Sequence, residues 1–153
     1  MQEGLSRDTV LGVRWMDRPH RALMEELSRL DRASEQEITE SYIALVIAVE
    51  RKFRAEEESM KGLDLPSSGN HCEQHAMALR SLRAAVPCVM RGNVIAARKV
   101  IRLLLQWLVI HVFTMDRILA DALLSRAARQ PNLDRHGAER TPDLPGPVVT
   151  RLH

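Results

Sequence analysis

The stretch SEQEITESYIALVIAVERKFRAEEESM, residues 34–60, decides the fold because it predicts one long helix with a polar break in its apolar side. Ser34 and Glu37 have the spacing of a capping box, in which each side chain binds the other residue's backbone amide at a helix N-terminus. The positions that share one side of this helix at steps of three and four are Tyr42, Leu45, Val49, Lys52, Glu56 and Met60. Lys52 and Glu56 therefore fall within an apolar stripe, and function depends on whether they face solvent or a buried site.

Three other segments show the same helical periodicity. The first is predicted to open near Asp17, with Asp17 as its N-cap and a proline in its first turn. The third follows the turn-rich break at residues 61–70, with Asn70 as its cap, and Pro87 is expected to kink or end it. The fourth is predicted over residues 94–128, and its inward side is predicted to contain Leu104, Leu108, His111, Met115 and Leu119. With no strand pattern evident, the sequence predicts an all-α fold, an antiparallel (up-down-up-down) four-helix bundle.

The composition is consistent with one domain followed by a tail. A chain of 153 residues is long enough for one core, and with aromatic residues at 3% that core must be built mainly from aliphatic side chains. From residue 130 the sequence becomes rich in proline and scattered charges and cannot bury enough apolar surface to fold alone. We therefore expect a helical bundle over residues 1–128 and a flexible or extended tail over residues 129–153.

Charge and hydropathy exclude several classes of partner. The net charge is only +2, and no basic block with interleaved aromatic residues indicates binding to nucleic acid. No N-terminal targeting pattern and no uncharged apolar run of about 18 residues is evident, so we expect a cytoplasmic protein without a membrane partner. Cys72 and Cys88 would lie roughly 24 Å apart on a continuous helix, too far for a disulfide. The sequence leaves open whether the chain is a monomer or a homo-oligomer.

Polar residues on the four inward stripes form the candidate site. They are His20 on the first helix, Lys52 and Glu56 on the second, His71 and His75 on the third, and His111 and Asp116 on the fourth. Six of the seven are metal-ligand types, and a mixture of imidazole and carboxylate suits iron, manganese or zinc. A single buried histidine is usually a core residue, but helices that each offer ligands to one centre are how bundles build two-metal sites. The remaining histidines, His136 and His153, lie in the tail, so metal binding is the favoured hypothesis.

Four segments of the chain resemble, in order, the signature segments of the hemerythrin family. They are VRWMDRPHRAL, KFRAEEESM, HCEQH and WLVIHVFTMD, within residues 11–123, and the long interval between the last two is similar to the bacterial branch. The resemblance implies a four-helix bundle that binds two non-haem irons and reacts with O2. It further implies that one iron is held by His71, His75 and His111, that Glu56 and Asp116 bridge the two irons, and that His20 holds the second.

Lys52 is the one departure from this ligand set, because the family has a histidine at that position. A neutral Lys52 amine would replace the imidazole as a ligand, whereas an ammonium would replace the second metal and leave a single iron. In a third interpretation, the Lys52 side chain extends to solvent and the metal site has lost its function. The chain has 19 arginines and three lysines, so the choice of lysine here favours a role in the site.

The resemblance and the apolar surroundings together favour a hemerythrin-like protein that binds non-haem iron and reacts with O2, as a carrier, buffer or sensor. Two irons are expected from the family, and one is possible because of Lys52. The alternative is an iron-dependent oxidase or oxygenase that acts on a small-molecule substrate, with Lys52 as the candidate catalytic residue. An iron-free relic is the least favoured reading because six ligands are retained.

Overall fold

A computed structural model describes residues 10–130, which form four long helices and contain no strand. Helix α1 spans Arg14–Arg32, α2 spans Glu35–Met60, and α3 spans Ser68–Val89. The fourth long helix consists of α4 at Ile95–His111, a π-helical turn at Val112–Asp116, and α5 at Arg117–Arg129. Helices α1 and α3 each pack against both α2 and α4, and this ring of neighbours is the predicted four-helix bundle.

The predicted helix starts are correct for α2 and wrong for α1 and α3. The Ser34 side chain accepts a hydrogen bond from the Glu37 amide, and Glu37 accepts one from the Ser34 amide, which is the predicted capping box. Helix α1 begins at Arg14, three residues before Asp17, so Asp17 does not cap it. The Asp17 carboxylate instead accepts hydrogen bonds from the amides of Leu11 and Gly12 and turns the incoming chain onto the first helical turn.

The third helix begins at Ser68, so Asn70 lies in its first turn and is not its cap. Pro87 lies inside α3, which continues two residues further to Val89. A proline removes only one backbone donor, and this close to the C-terminus few helical hydrogen bonds remain to be lost. The proline is therefore tolerated in the last turn, and the helix ends two residues after it.

The core is aliphatic, as the composition predicted. Tyr42 is its largest buried side chain, and its hydroxyl donates a hydrogen bond of 3.0 Å to the Leu82 carbonyl, linking α2 to α3. Burial raises the pKa of Tyr42 to about 12. The sequence predicted no disulfide between Cys72 and Cys88, and both are free thiols in the structure. The fully buried aliphatic residues include Leu27, Leu30, Ile38, Val49, Leu82, Ile101 and Leu108.

The π-helical turn was not predicted, and it changes which residues of the fourth helix face inward. Residues five apart on an α-helix differ in direction by about 140°, so His111 and Asp116 would not share a side. Here the Arg117 amide donates to the Val112 carbonyl five residues earlier, which widens the turn. Asp116 is consequently fully buried, whereas Met115, which the regular spacing placed inward, is only half-buried.

The fourth helix, Ile95–Arg129, is long and apolar enough to span a membrane by length and composition alone. A core helix of a globular protein passes the same test, and this helix packs into the bundle with two ionisable side chains, His111 and Asp116, on its buried side. The absence of a membrane partner remains a prediction from the sequence.

Leu27→Ala is expected to lower the free energy of unfolding by about 2–5 kcal/mol, because it opens a cavity where the side chain is now fully buried. Leu103→Ala, the same change at a side chain that is 55% exposed, should shift it by no more than about 0.5 kcal/mol. Urea denaturation of both variants measures the difference. Equal losses would contradict the position of Leu27 in the core.

Candidate metal centre

Three histidines direct ring nitrogens at one buried point between α2, α3 and the fourth helix. The His111 Nε2 lies 3.1 Å from the Nε2 of His71 and 3.1 Å from that of His75. Asp116 Oδ1 lies 3.0 Å from His71 Nε2 and 3.3 Å from His111 Nε2, and Glu56 Oε2 lies 3.4 Å from His75 Nε2. Three imidazole nitrogens and Asp116 Oδ1 are therefore close enough together to hold one ion, with Glu56 Oε2 beside His75 at the edge, and we call this volume the three-histidine pocket.

The hydrogen bonds behind two of these rings determine what the nitrogens in front can do. His75 Nδ1 lies 3.0 Å from the Glu57 carboxylate, which can only accept, so Nδ1 carries the proton. His111 Nδ1 lies 2.9 Å from the side-chain oxygen of Gln74 and donates in the same way. Both Nε2 atoms therefore present lone pairs to the pocket, as metal-binding histidines do.

These donor atoms fit a metal ion. Ligand bonds of about 2.1 Å at right angles separate neighbouring donors by about 3.0 Å, close to the distances between the atoms that line the pocket. The buried oxygens Glu56 Oε2, Asp116 Oδ1 and Asp116 Oδ2 have no hydrogen-bond partner among the described residues. Buried lone pairs that face one another without a proton between them are unfavourable, and a cation in the pocket would satisfy Glu56 Oε2 and Asp116 Oδ1 together.

Aromatic rings line the outer side of the pocket. Phe53 stacks on His75 with ring centroids 3.9 Å apart and planes 2° from parallel, and Trp107 stacks on His111 with centroids 4.3 Å apart. Both histidines are fully buried beneath these rings. The stacking fixes the orientation of the imidazoles and keeps the surroundings apolar.

The other oxygens of the same two carboxylates face His20 and Lys52. The His20 Nε2 lies 2.8 Å from Asp116 Oδ2 and 3.2 Å from Glu56 Oε1. Although these distances are short, neither His20 ring nitrogen has a partner with hydrogen-bond geometry among the described residues. His20, Glu56 and Asp116 thus form a second group that is close enough to hold a cation.

Lys52 is 7% exposed and does not extend to solvent, so that reading of the sequence is wrong. Its Nζ donates a hydrogen bond of 2.6 Å to Glu56 Oε1 and lies 3.8 Å from Asp116 Oδ2. All seven inward polar residues predicted from the sequence are buried in one cluster. His136 and His153 lie outside the described residues.

Sequence reasoning missed Glu57 and Gln74, which support the ligand histidines from behind. Glu57 is half-buried, whereas its neighbour Glu58 is exposed and pairs with Lys61. Nothing in the run of three glutamates distinguishes Glu57 from Glu58. Its position directly after Glu56 is the only signal in the sequence that it lies near the site.

The electrostatics of the cluster favour ionised carboxylates. Burial alone raises the pKa of Glu56, but the charge of Lys52 and the imidazoles of His20 and His75 beside the carboxylate outweigh it and hold the pKa at about 2. For Asp116, the imidazoles of His111, His20 and His71 beside the carboxylate likewise outweigh burial and lower its pKa far below the ordinary range. Burial lowers the pKa of His111, and in His20 the two carboxylates outweigh burial and raise it.

The metal-free protein should lose stability as the pH falls from about 4.5 to 2. In this window the unfolded chain protonates Glu56 at its ordinary pKa of 4.5, while the folded protein holds the carboxylate ionised down to about 2. The loss attributable to Glu56 is up to about 3 kcal/mol. Chemical denaturation across this range measures it, and Glu56→Gln should flatten the curve. An unchanged acid slope in that variant would contradict the assignment.

Glu57→Ala should weaken metal binding about 10- to 100-fold, because the His75 ring would lose the acceptor that fixes its proton on Nδ1. Glu58→Ala, one residue away and exposed, should leave the affinity unchanged. Competition with a chromophoric chelator measures both variants. If Glu58→Ala weakens binding as much as Glu57→Ala does, the effect is one of overall charge and the role of Glu57 is refuted.

Comparison with known proteins agrees with this geometry. The family model described as Hemerythrin HHE cation binding domain matches residues 11–123, which contain every residue of the cluster. No curated protein and no solved structure gives a significant match to the chain. The family match covers well over half of the sequence, and the cluster supplies the histidine and carboxylate groups that a cation-binding bundle needs. The chain is a member of the hemerythrin family, with an HHE cation-binding domain.

Proposed function

We propose that this protein binds non-haem iron in the three-histidine pocket and reacts with O2, as a carrier, buffer or sensor of oxygen. The observation that carries the proposal is the set of three imidazole nitrogens and one Asp116 oxygen around one point, with Glu56 Oε2 beside His75. Structural zinc sites close with four ligands, whereas addition of Glu56 Oε2 as a fifth donor would favour an ion with a higher coordination number. Such an ion, with iron as the expected one, retains one position for a small ligand.

The chemistry that iron supplies is reduction, since ferrous iron can pass electrons to O2 whereas none of the side chains in the cluster does so readily. The protein's own part is to hold and shield the ion. Phe53 and Trp107 cover the ligand rings with apolar surface, which favours a small apolar molecule over water. The family match, the donor set and the dry walls together support O2 as the partner.

A second candidate function rests on Lys52, whose ammonium lies inside the cluster and provides a positive charge and N–H donors. Such groups can orient or polarise a polar molecule beside a metal ion. We therefore retain an iron-dependent oxidase or oxygenase acting on a small molecule as the alternative. The two functions differ in whether the reaction with O2 is reversible without a second substrate.

Protein loaded with ferrous iron under nitrogen should develop a new visible absorption band when it is exposed to O2. Under the carrier reading the band should decline when O2 is removed, whereas an oxidase should consume O2 continuously once its substrate is added. His75→Ala, which removes a ligand, should reduce the iron content and the spectral response at least tenfold. His136→Ala, a histidine of the predicted tail, is the control and should reduce neither.

Absorption spectra with iron analysis by mass spectrometry measure both quantities on the same samples. Iron-loaded protein with no spectral change in O2 and no O2 uptake would reject both functions. Equal loss of iron in His75→Ala and His136→Ala would show that the metal binds outside the bundle.

A further inference from the structure

The side of the cluster that faces His20 is poorer in ligands than the three-histidine pocket. Among residues 10–130, it offers a second metal ion only the Nε2 of His20, Oε1 of Glu56 and Oδ2 of Asp116. The family implies two ions, and a second one would have to share Glu56 Oε1 with the Lys52 side chain. The residues present therefore fit one ion well and a second one poorly.

We propose that the Lys52 ammonium takes the place of the second metal ion, so that this chain holds one metal ion and not two. The inference deepens the proposed function and rests on the metal site in the three-histidine pocket. It assigns to the protein a mononuclear centre in which a lysine supplies the positive charge that a second ion supplies in a two-metal site.

Geometry is the first argument. Lys52 stands one helical turn before Glu56 on the buried side of α2, so the helix backbone holds its side chain beside that carboxylate. The Nζ–Oε1 distance of 2.6 Å is that of a charge-assisted hydrogen bond. A neutral amine acting as a ligand would direct its lone pair at a metal, whereas here the nitrogen donates to the oxygen that the metal would need.

Charge is the second argument. Glu56, Asp116 and Glu57 contribute three negative charges in or against the cluster, and one divalent ion with the Lys52 ammonium balances them. A second divalent ion would leave an excess of two positive charges. It would also lie next to the ammonium on a shared oxygen, in surroundings that screen repulsion poorly.

The experiment counts metal ions per chain. Purified protein is loaded with ferrous iron under nitrogen, freed of excess metal by gel filtration, and analysed for iron and protein. Wild type should contain one ion per chain. Lys52→His, which removes the ammonium and adds an imidazole, should contain two, and the double variant with His20→Ala should return to one. Lys61→His, the same change at an exposed lysine, is the control and should stay at one.

Two ions in the wild type would overturn the inference without any variant, and so would none. One ion in a Lys52→His variant that is folded by circular dichroism would also overturn it, as would a second ion in Lys61→His. One ion in the wild type with no reaction toward O2 would leave the inference standing and reject the proposed function. The two proposals therefore fail separately.

Discussion

Two buried carboxylates, Glu56 and Asp116, are the constraint on which the rest of this structure depends. Neither reaches solvent, and an ionised carboxylate in an apolar interior is strongly unfavourable unless positive charge or hydrogen-bond donors surround it. Each carboxylate is divided between two sets of partners, with one oxygen toward the three-histidine pocket and the other toward His20 and Lys52. All four long helices contribute side chains that compensate these charges, so the site forms only when the four helices pack together.

One irregularity in the fourth helix places Asp116 among its partners. Asp116 follows His111 by five residues, a spacing that a regular α-helix would point in two directions. The π-helical turn at Val112–Asp116 brings both onto the inner side, at the position where the fourth helix passes the site. π-helical turns are rare and often occur at functional sites, where the poorer backbone geometry is offset by contacts of the side chains. Here those contacts are the imidazoles of His20 and His71 around the Asp116 carboxylate.

The sequence was sufficient for the helical fold, which follows from periodicity, and the same periodicity placed the histidines of helices α1, α3 and α4 on inward sides, but it did not account for Asp116. The capping box at Ser34 and the inward spacing of His71 and His75 depend on residues within a few turns of each other. The π-helical turn was not predictable in this way, since it depends on what the buried Asp116 contacts across the bundle. The start of α1 was missed for a related reason, because Asp17 binds amides that precede the helix.

Contacts between helices also could not be predicted from the sequence. Glu57 and Glu58 are indistinguishable as residues, and only the position of α3 makes Glu57 the partner of His75. Lys52 was predicted to face inward, but three roles remained open until its distance to Glu56 was known. The structure removes the role in which lysine reaches solvent, because the side chain is buried and paired.

The division of the two carboxylates also determines how metal binding is linked to stability. On the His20 side, the Lys52 side chain donates to Glu56 Oε1, so that oxygen has a partner before any ion arrives. On the other side, unprotonated Nε2 atoms and unpartnered oxygens face one another, and only a cation resolves their repulsion. A ligand that binds only the folded state stabilises it in proportion to the logarithm of its concentration. The stabilisation gained on metal binding should therefore be concentrated in α3 and the fourth helix, which carry the three histidines, and should be smaller in α1, whose His20 lies on the other side of the carboxylates.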